Sequence, residues 1–141
     1  MRNDPQYIVI HHSQSQRETT AEEIQRWHLT RGWLTIGYHW VIENDALVNC
    51  GPLGRPEWMH GAHCRAMNRQ SIGICITGDF REDHDTEPTD WQKMALARLL
   101  RLKLVQYEIP RMRIVLHRDY SDTDCPGTIT KERVLEWLDQ C

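Results

Sequence analysis

The sequence predicts one α/β domain in which a central mixed β-sheet is flanked by helices. Short runs of β-branched residues alternate with longer segments in which apolar residues recur at helical spacing. No linker, internal repeat or low-complexity segment divides the chain, so residues 1–141 are expected to form a single domain. Hydrophobic residues make up 40% of the chain and charged residues 26%, a balance that excludes a disordered or fibrous protein.

Short apolar runs predict five strands, at residues 7–10, 36–42, 46–49, 71–77 and 113–116. The run 71–77 is the most apolar and is expected to lie in the centre of the sheet, covered on both faces. The first and last of these strands lead directly into histidines. The second alternates as a strand does, which places four side chains on a common side: Ile36, Tyr38, Trp40 and Ile42.

Three helices are predicted, and capping boxes mark the start of two of them. Thr20 with Glu23 begins the first, which is expected to end near Gly32, and Thr89 with Gln92 begins the longest. The third begins near residue 130. The residues at helical spacing are Ile24, Trp27 and His28, then Trp91, Met94, Ala95, Leu99, Leu102 and Val105, then Val134, Leu135 and Leu138. Three helical tryptophans are assigned to packing: Trp27, Trp91 and Trp137.

The cysteines and the segments between the elements carry weaker signals. Residues 50–68 lack periodicity and are expected to form a long surface loop, and residues 81–88 an acidic loop. Five cysteines without a CxxC pair argue against a disulfide framework, although a bridge between Cys50 and Cys64 stays open. We expect Cys75 to be a buried core residue and Cys141 a frayed terminal thiol.

The N-terminus has no apolar segment of the kind that directs secretion, and no stretch is long enough to span a membrane. We therefore expect a protein that is made in the cytoplasm without a signal peptide and does not insert into a membrane. We also expect it to be a monomer. The formal net charge is -3, and no dense basic run is found. This charge pattern argues against a nucleic-acid partner.

Three of the eight histidines and five cysteines fall where they can converge on a metal ion. His11 and His117 follow predicted strands, and Cys125 comes soon after His117. Two imidazoles and a thiolate can occupy three corners of a zinc tetrahedron, and an open fourth corner is typical of catalytic zinc. His12 competes with His11, because adjacent strand residues face opposite ways and sequence parity does not choose between them. Exposed histidines and a buried thiol are the alternative interpretation.

Four ordered blocks extend this pattern over almost the whole chain. They are IVIHHS at 8–13, IGYHWVI at 36–42, HGAH at 60–63 with Asn68 and SIGI at 71–74, and HRD at 117–119 with CPG at 125–127. In these blocks the chain resembles the type 2 zinc-dependent N-acetylmuramoyl-L-alanine amidases, which include short phage lysozymes and peptidoglycan recognition proteins. The resemblance implies the fold of that family and one catalytic Zn²⁺.

The resemblance also implies roles for single residues. It makes His11, His117 and Cys125 the zinc ligands, and it makes Tyr38 a catalytic residue whose phenol can hydrogen-bond the attacking water or the developing oxyanion. Thr123 stands where phage lysozymes often carry lysine, so it is a candidate oxyanion donor without positive charge. Candidate substrate-binding residues in the groove are His63, His60, Trp33, Trp58 and Asn68. Asp119 either orients a ligand or is a solvated charge.

The implied function is hydrolysis of the amide between N-acetylmuramic acid and L-alanine in peptidoglycan. The expected setting is a phage or prophage endolysin that acts on the periplasmic cell wall after release. Alternatives are a non-catalytic peptidoglycan-binding module of the same fold, an endolysin that also binds a polymerase, and a zinc-stabilised nucleic-acid binder. The binding modules commonly carry serine at the cysteine ligand, so the intact Cys125 favours the enzyme.

Overall fold

The computed structural model describes residues 2–84 and 87–140, and a five-stranded sheet forms its centre. The strands are β1 (Tyr7–His12), β2 (Trp40–Ile42), β3 (Leu47–Asn49), β4 (Ser71–Ile76) and β5 (Ile114–Leu116). They lie in the order β3-β2-β4-β1-β5, with β3 antiparallel to β2 and all other neighbours parallel. The mixed sheet and the central position of β4 are as the sequence predicts.

Three helices cover the sheet: α1 (Ala21–Thr30), α2 (Asp90–Gln106) and α3 (Lys131–Gln140). Both predicted capping boxes form. The hydroxyl of Thr20 accepts the backbone N–H of Glu23 at 3.2 Å, and that of Thr89 accepts the backbone N–H of Gln92 at 3.1 Å. Each cap satisfies an amide that the start of a helix leaves unpaired, so α1 and α2 begin where the local sequence predicts.

The main core lies between the sheet and the helices α2 and α3. Side chains alternate between the two faces of a strand, and the even-numbered residues of β1 and β4 point to this core. Burying one such side chain stabilises the fold by about 1.5–3 kcal/mol. The largest fully buried side chains here include Ile8, Ile10, Ile72, Ile74, Ile76, Leu96 and Leu100.

The opposite face of the sheet carries α1 and the segment 50–68, and it is more polar. Two small apolar clusters hold it: Ile24 of α1 packs with Cys75 of β4, and Val9 of β1 packs with Met67. Alternation along β1 places His11 on the same face as Val9. His11 therefore lies on the face of the sheet that carries the smaller apolar clusters.

The predicted second strand is wrong in its first half, because only Trp40–Ile42 joins the sheet. Gly37 donates its backbone N–H to Nδ1 of His28 at 2.9 Å, so the chain is bonded to α1 at this point, and the backbone N–H of His39 donates to Gly73 of β4 at 3.0 Å. The alternation breaks as a result. Ile36 and Tyr38 pack in the cluster beneath α1, whereas Trp40 and Ile42, which were predicted to share their side, pack in the main core on the other face of the sheet.

The helical tryptophans differ from prediction in two of three cases. Trp27 is 43% exposed and Trp91 is 36% exposed, so their assignment to packing is wrong, whereas Trp137 is buried as predicted. Apolar residues lie on several sides of α2, so their spacing does not define one buried face. In α2 the buried apolar residues are Ala95, Leu96, Ala97, Leu99 and Leu100, while Leu102 and Val105 face solvent. In α3, Val134 and Leu138 are buried and Leu135 is half-buried.

The four described cysteines are buried and free: Cys50, Cys64, Cys75 and Cys125. The core position of Cys75 is confirmed, and the bridge between Cys50 and Cys64 does not form. Cys141 lies outside the described residues, as do residues 85 and 86 of the predicted acidic loop. Among the helices of residues 2–84 and 87–140, none is both long enough and apolar enough to cross a membrane.

The segment 50–68 contains no helix or named strand, as predicted, but its surface location is wrong for the residues that are buried. Arg55 is only 5% exposed. Its Nε donates to the carbonyl of Ile36 at 2.8 Å, and its Nη1 donates to the carbonyl of His60. These bonds satisfy a buried guanidinium and fold the segment onto the polar face of the sheet, beside the end of β1.

Candidate metal centre and groove

Two histidines meet because β1 and β5 are parallel neighbours. The strands pair as far as Ile10 opposite Leu116, and parallel strands leave a sheet at the same edge. His11 is the next residue of β1, and His117 follows β5 as the first residue of a short 3₁₀ turn. Their ring centroids lie 4.5 Å apart.

The loop after this turn brings Cys125 to the same edge, and Arg118 holds the loop in place. The backbone N–H of Arg118 donates to the carbonyl of Cys125 at 3.0 Å. Its guanidinium donates to the carbonyls of Gly127 at 2.9 Å and Ile129 at 2.6 Å. The Sγ of Cys125 accepts the backbone N–H of His12 at 3.3 Å, so the sulfur lies against β1.

Asp119 supports the turn rather than a ligand ring. Its Oδ2 accepts the backbone N–H of Leu116 at 2.9 Å, at the point where the chain leaves β5. The carboxylate thereby shapes the backbone that carries His117. Asp119 is exposed, which fits its interpretation as a solvated charge, and its described hydrogen bond goes to the backbone rather than to a ligand ring.

His11, His117 and Cys125 form the one group of three potential metal ligands among the described residues, with ligand atoms within 4.8 Å of one another. Tetrahedral zinc separates its ligand atoms by roughly 3.3–3.8 Å, so small movements suffice to hold the ion. His12 does not join the group. It lies on the other face of β1, where its Nδ1 accepts the backbone N–H of Phe80 at 3.1 Å.

The three groups are uncharged while no cation is bound. Burial lowers the pKa of His11 well below its ordinary value, and the nearby imidazoles of His63 and His117 add to this effect. Burial also lowers the pKa of His117 and raises the pKa of the Cys125 thiol to about 12. Neutral imidazoles are ready ligands, and a divalent cation favours loss of the thiol proton. The chemistry of this donor set fits zinc.

Two other buried histidines should make the stability of the fold depend on pH. Nδ1 of His39 accepts the backbone N–H of Gly73 at 3.0 Å, and burial lowers the pKa of His39 to about 4. Burial likewise lowers the pKa of His28 to about 4. The unfolded chain therefore binds more protons than the folded chain between pH 6.5 and about 4. We expect the free energy of unfolding to fall as the pH is lowered from about 7 to about 4, by up to about 1.4 kcal/mol per pH unit for each histidine.

Urea unfolding of the metal-free protein at several pH values measures this dependence. The variant His39→Asn offers an acceptor to the Gly73 amide but does not titrate, so its stability should vary less with pH. A pH dependence identical to that of the unsubstituted chain would show that His39 does not contribute.

Tyr38 lies beside the first of the clustered histidines, with its ring centroid 5.1 Å from that of His11. It packs against the small cluster beneath α1 that contains Cys75. Burial raises the pKa of Tyr38 well above its ordinary value, and the sulfurs of Cys75 and Cys125 add to this effect. Tyr38 therefore keeps its proton at neutral pH and can donate a hydrogen bond to an anionic oxygen.

A cavity of about 420 Å³ opens beside the cluster, and we call it the groove; Tyr38, His117, Thr123 and Cys125 lie along it. The Oγ1 of Thr123 accepts the backbone N–H of Cys125 at 3.2 Å. A hydroxyl that accepts one hydrogen bond still has its own proton to donate. The structure thus brings both predicted catalytic residues to the same cavity as two of the three potential ligands.

One wall of the groove consists of Trp27 and Arg31, and the sequence did not predict a binding role for either residue. Trp27 lies at helical spacing with core residues of α1, so its exposure depends on what α1 packs against. Arg31 follows the last turn of α1, where a cation is common because it interacts well with the helix dipole. Neither position carried a local signal for a ligand.

The candidate substrate-binding residues are only partly grouped. Trp33, His63 and Asn68 line a second recess of about 270 Å³. The Oδ1 of Asn68 accepts the backbone N–H groups of His63 and Cys64, each at 2.9 Å, so this side chain also holds the turn together. Two of the predicted residues line neither the groove nor this recess, namely Trp58, which is 56% exposed, and His60, which is half-buried.

One known family matches most of this chain. A family model described as N-acetylmuramoyl-L-alanine amidase covers residues 1–128. The chain belongs to this amidase family. All four sequence blocks and all three potential ligands lie within the matched residues.

Known proteins resemble this chain both in sequence and in fold. The endolysin of Enterobacteria phage T3 is 34% identical over 124 residues, which are 85% of this chain and 79% of that endolysin. An N-acetylmuramoyl-L-alanine amidase from Clostridium intestinale has a TM-score of 0.84 at 32% identity, covering 97% of this chain and 87% of that one. A mutant of Drosophila PGRP-LB in complex with tracheal cytotoxin has a TM-score of 0.78 at 27% identity, covering 97% and 83%. The predicted family and fold class are confirmed.

Proposed function

We propose that this chain is a zinc-dependent amidase of the endolysin type, which hydrolyses the amide between N-acetylmuramic acid and L-alanine in peptidoglycan. The observation that supports this most is the group formed by His11, His117 and Cys125 beside a groove in an amidase fold. These three residues would hold the ion. Bound zinc would polarise the scissile carbonyl and make water a better nucleophile at neutral pH.

Tyr38 and Thr123 act on the charge that develops on the carbonyl oxygen. The raised pKa of Tyr38 keeps its phenol protonated, so the phenol donates a hydrogen bond to that oxygen as the carbon becomes tetrahedral. Thr123 supplies a second hydroxyl from the same groove. Both donors are neutral hydroxyls, which contribute less than a charged donor would. We assign Tyr38 the larger effect because its ring centroid lies 5.1 Å from that of the proposed ligand His11.

The groove and the second recess hold the substrate on either side of the reacting amide. The indole rings of Trp27 and Trp33 offer flat surfaces that suit sugar faces. Arg31 offers a cation to the carboxylates of a peptide stem. We further propose that Trp58, His60 and Asn68 contact the more distant parts of the wall polymer.

The place of action that we propose is the cell wall, reached after the protein is made in the cytoplasm and released. Phage endolysins are the relatives that support this proposal. The chain acts as a monomer in this proposal, with peptidoglycan as its macromolecular partner.

The activity is tested by incubating the purified protein with peptidoglycan, with and without a chelator, and identifying the fragments by mass spectrometry. We expect free stem peptides that begin with L-alanine, lost on chelation and restored by zinc. Release of disaccharides would indicate a glycosidase and contradict the proposal. Binding to the wall without any cleavage would favour the non-catalytic module, and cleavage by the metal-free protein would contradict the role of zinc.

A further inference from the structure

A buried histidine lies directly behind the proposed ligand His11, and both of its ring nitrogens have partners. His63 is 8% exposed. Its Nδ1 lies 2.8 Å from Nε2 of His11, and its Nε2 lies 3.2 Å from Oγ of Ser71. The hydroxyl of Ser71 in turn donates to the carbonyl of Met67 at 2.7 Å. Four groups therefore form one chain of hydrogen bonds that ends at His11.

The direction of each hydrogen bond follows from the Met67 end of this chain. Ser71 donates its only hydroxyl proton to the Met67 carbonyl, so its oxygen accepts from Nε2–H of His63. A neutral imidazole has one N–H, and in His63 this N–H is on Nε2, so Nδ1 has a lone pair. That lone pair accepts Nε2–H of His11. The nitrogen of His11 that has no proton is then Nδ1.

The backbone is shaped to admit the ring of His63. A Cβ on Gly73 of β4 would lie 2.5 Å from Cδ2 of His63, and a Cβ on Gly61 would lie 2.3 Å from the same atom. Both separations are far inside van der Waals contact, so a side chain at either position would displace the ring. Asn68 adds a hydrogen bond to the backbone N–H of His63 at 2.9 Å. The ring thus occupies a slot that the fold keeps open on both sides.

We propose that His63 is a positioning residue, which fixes the tautomer and ring orientation of His11 so that Nδ1 of His11 binds the metal. This role replaces the substrate contact that the family resemblance implies for His63, because a buried ring with both nitrogens engaged has no group to offer a substrate. The inference rests on the proposed function in taking His11 as a zinc ligand. Partners of metal-bound histidines commonly act in this way.

The tautomers can be measured directly by long-range ¹H–¹⁵N correlation NMR of the ring nitrogens. In the metal-free protein we expect His11 and His63 to be neutral with the proton on Nε2, and zinc should shift the Nδ1 signal of His11. A proton on Nδ1 of His11, or a zinc-induced shift of its Nε2 signal, would overturn the proposal. This measurement needs no activity, so it can fail while the amidase assignment stands.

Variants at two positions test the effect on the metal. His63→Leu removes the acceptor for His11, and we expect zinc affinity to fall about 10–100-fold with an altered absorption spectrum of the cobalt-substituted protein. His63→Asn, whose side-chain oxygen lies near the position of Nδ1, should restore much of the affinity. Ser71→Ala should weaken zinc binding less than His63→Leu, since it removes only the group that orients the His63 ring.

The matched control is Cys64→Ser, which changes a buried neighbour of His63 outside the hydrogen-bond chain and should bind zinc as the unsubstituted protein does. A raised KM in His63→Leu with unchanged zinc affinity and cobalt spectrum would assign His63 to the substrate and contradict the proposal. Should His63→Leu not fold, equal zinc affinity in Ser71→Ala and the unsubstituted protein, together with a proton on Nδ1 of His11, would contradict it. Absence of zinc binding in the unsubstituted protein would count against the proposed function instead.

Discussion

Cys125→Ser is expected to lose zinc binding at neutral pH and, with it, hydrolysis of peptidoglycan. Serine has nearly the size of cysteine, but its hydroxyl does not ionise under these conditions and is a poor ligand compared with a thiolate. Losing a direct ligand should cost more than losing a residue that supports one. We therefore expect zinc affinity to fall by more than about 100-fold, measured by competition with a chelating dye alongside the release of stem peptides.

Cys64→Ser provides the control for this substitution. Cys64 is also a buried free cysteine, and its Sγ lies 3.7 Å from Oγ of Ser121, so a hydroxyl finds a polar neighbour there. It is not part of the metal-binding group. We expect Cys64→Ser to bind zinc and hydrolyse the wall at the usual rate. Equal zinc affinity in Cys125→Ser and the unsubstituted protein would show that the ion is held elsewhere.

Tyr38→Phe is expected to separate catalysis from metal binding. The substitution removes only the hydroxyl, and the ring retains its contacts with His11 and His28. Removing one hydrogen-bond donor to a developing oxyanion typically lowers kcat by about 10²–10³, and we expect a loss in this range with zinc affinity unchanged. Steady-state kinetics on a soluble fragment of peptidoglycan and a zinc titration measure the two quantities.

The contact between Tyr38 and Cys75 calls for a second variant. Cys75→Ala removes a sulfur from the cluster against which Tyr38 packs but leaves the phenol itself. We expect a much smaller loss of kcat than in Tyr38→Phe, because the donor is still present. Full activity in zinc-loaded Tyr38→Phe would remove Tyr38 from the mechanism, and an equal loss in both variants would assign the phenol to packing.

The elements that sequence reasoning predicted well are those whose stabilising interactions are local. The capping boxes of Thr20 and Thr89 involve residues three positions apart, so the sequence contains both partners of each hydrogen bond. The apolar run of β4 likewise predicts a central strand, since only a strand covered on both faces is apolar throughout.

The predictions that failed depend on contacts between distant residues. The amide of Gly37 bonds to His28, and this contact ends the strand pattern that the alternation of residues 36–42 predicts. Trp27 is exposed because α1 packs through its other residues, and nothing in the spacing of its apolar residues indicates which edge of the stripe faces solvent. Arg31 lines the groove for the same reason, because its position depends on how α1 packs and the local sequence does not indicate this.

The candidate site divides in the same way. The sequence by itself determined the residue types, since two histidines after short strands and one later cysteine are the ligands that zinc prefers, and their order matches one family. Strand parity left His11 and His12 equivalent, and the family resemblance implied His11. Only the tertiary structure shows that His11 joins the group while His12 does not, that Tyr38 lies beside His11, and that His63 hydrogen-bonds His11. The physical reason is that a strand offers two equivalent faces, and which of them meets the core is set by packing against elements far away in the chain.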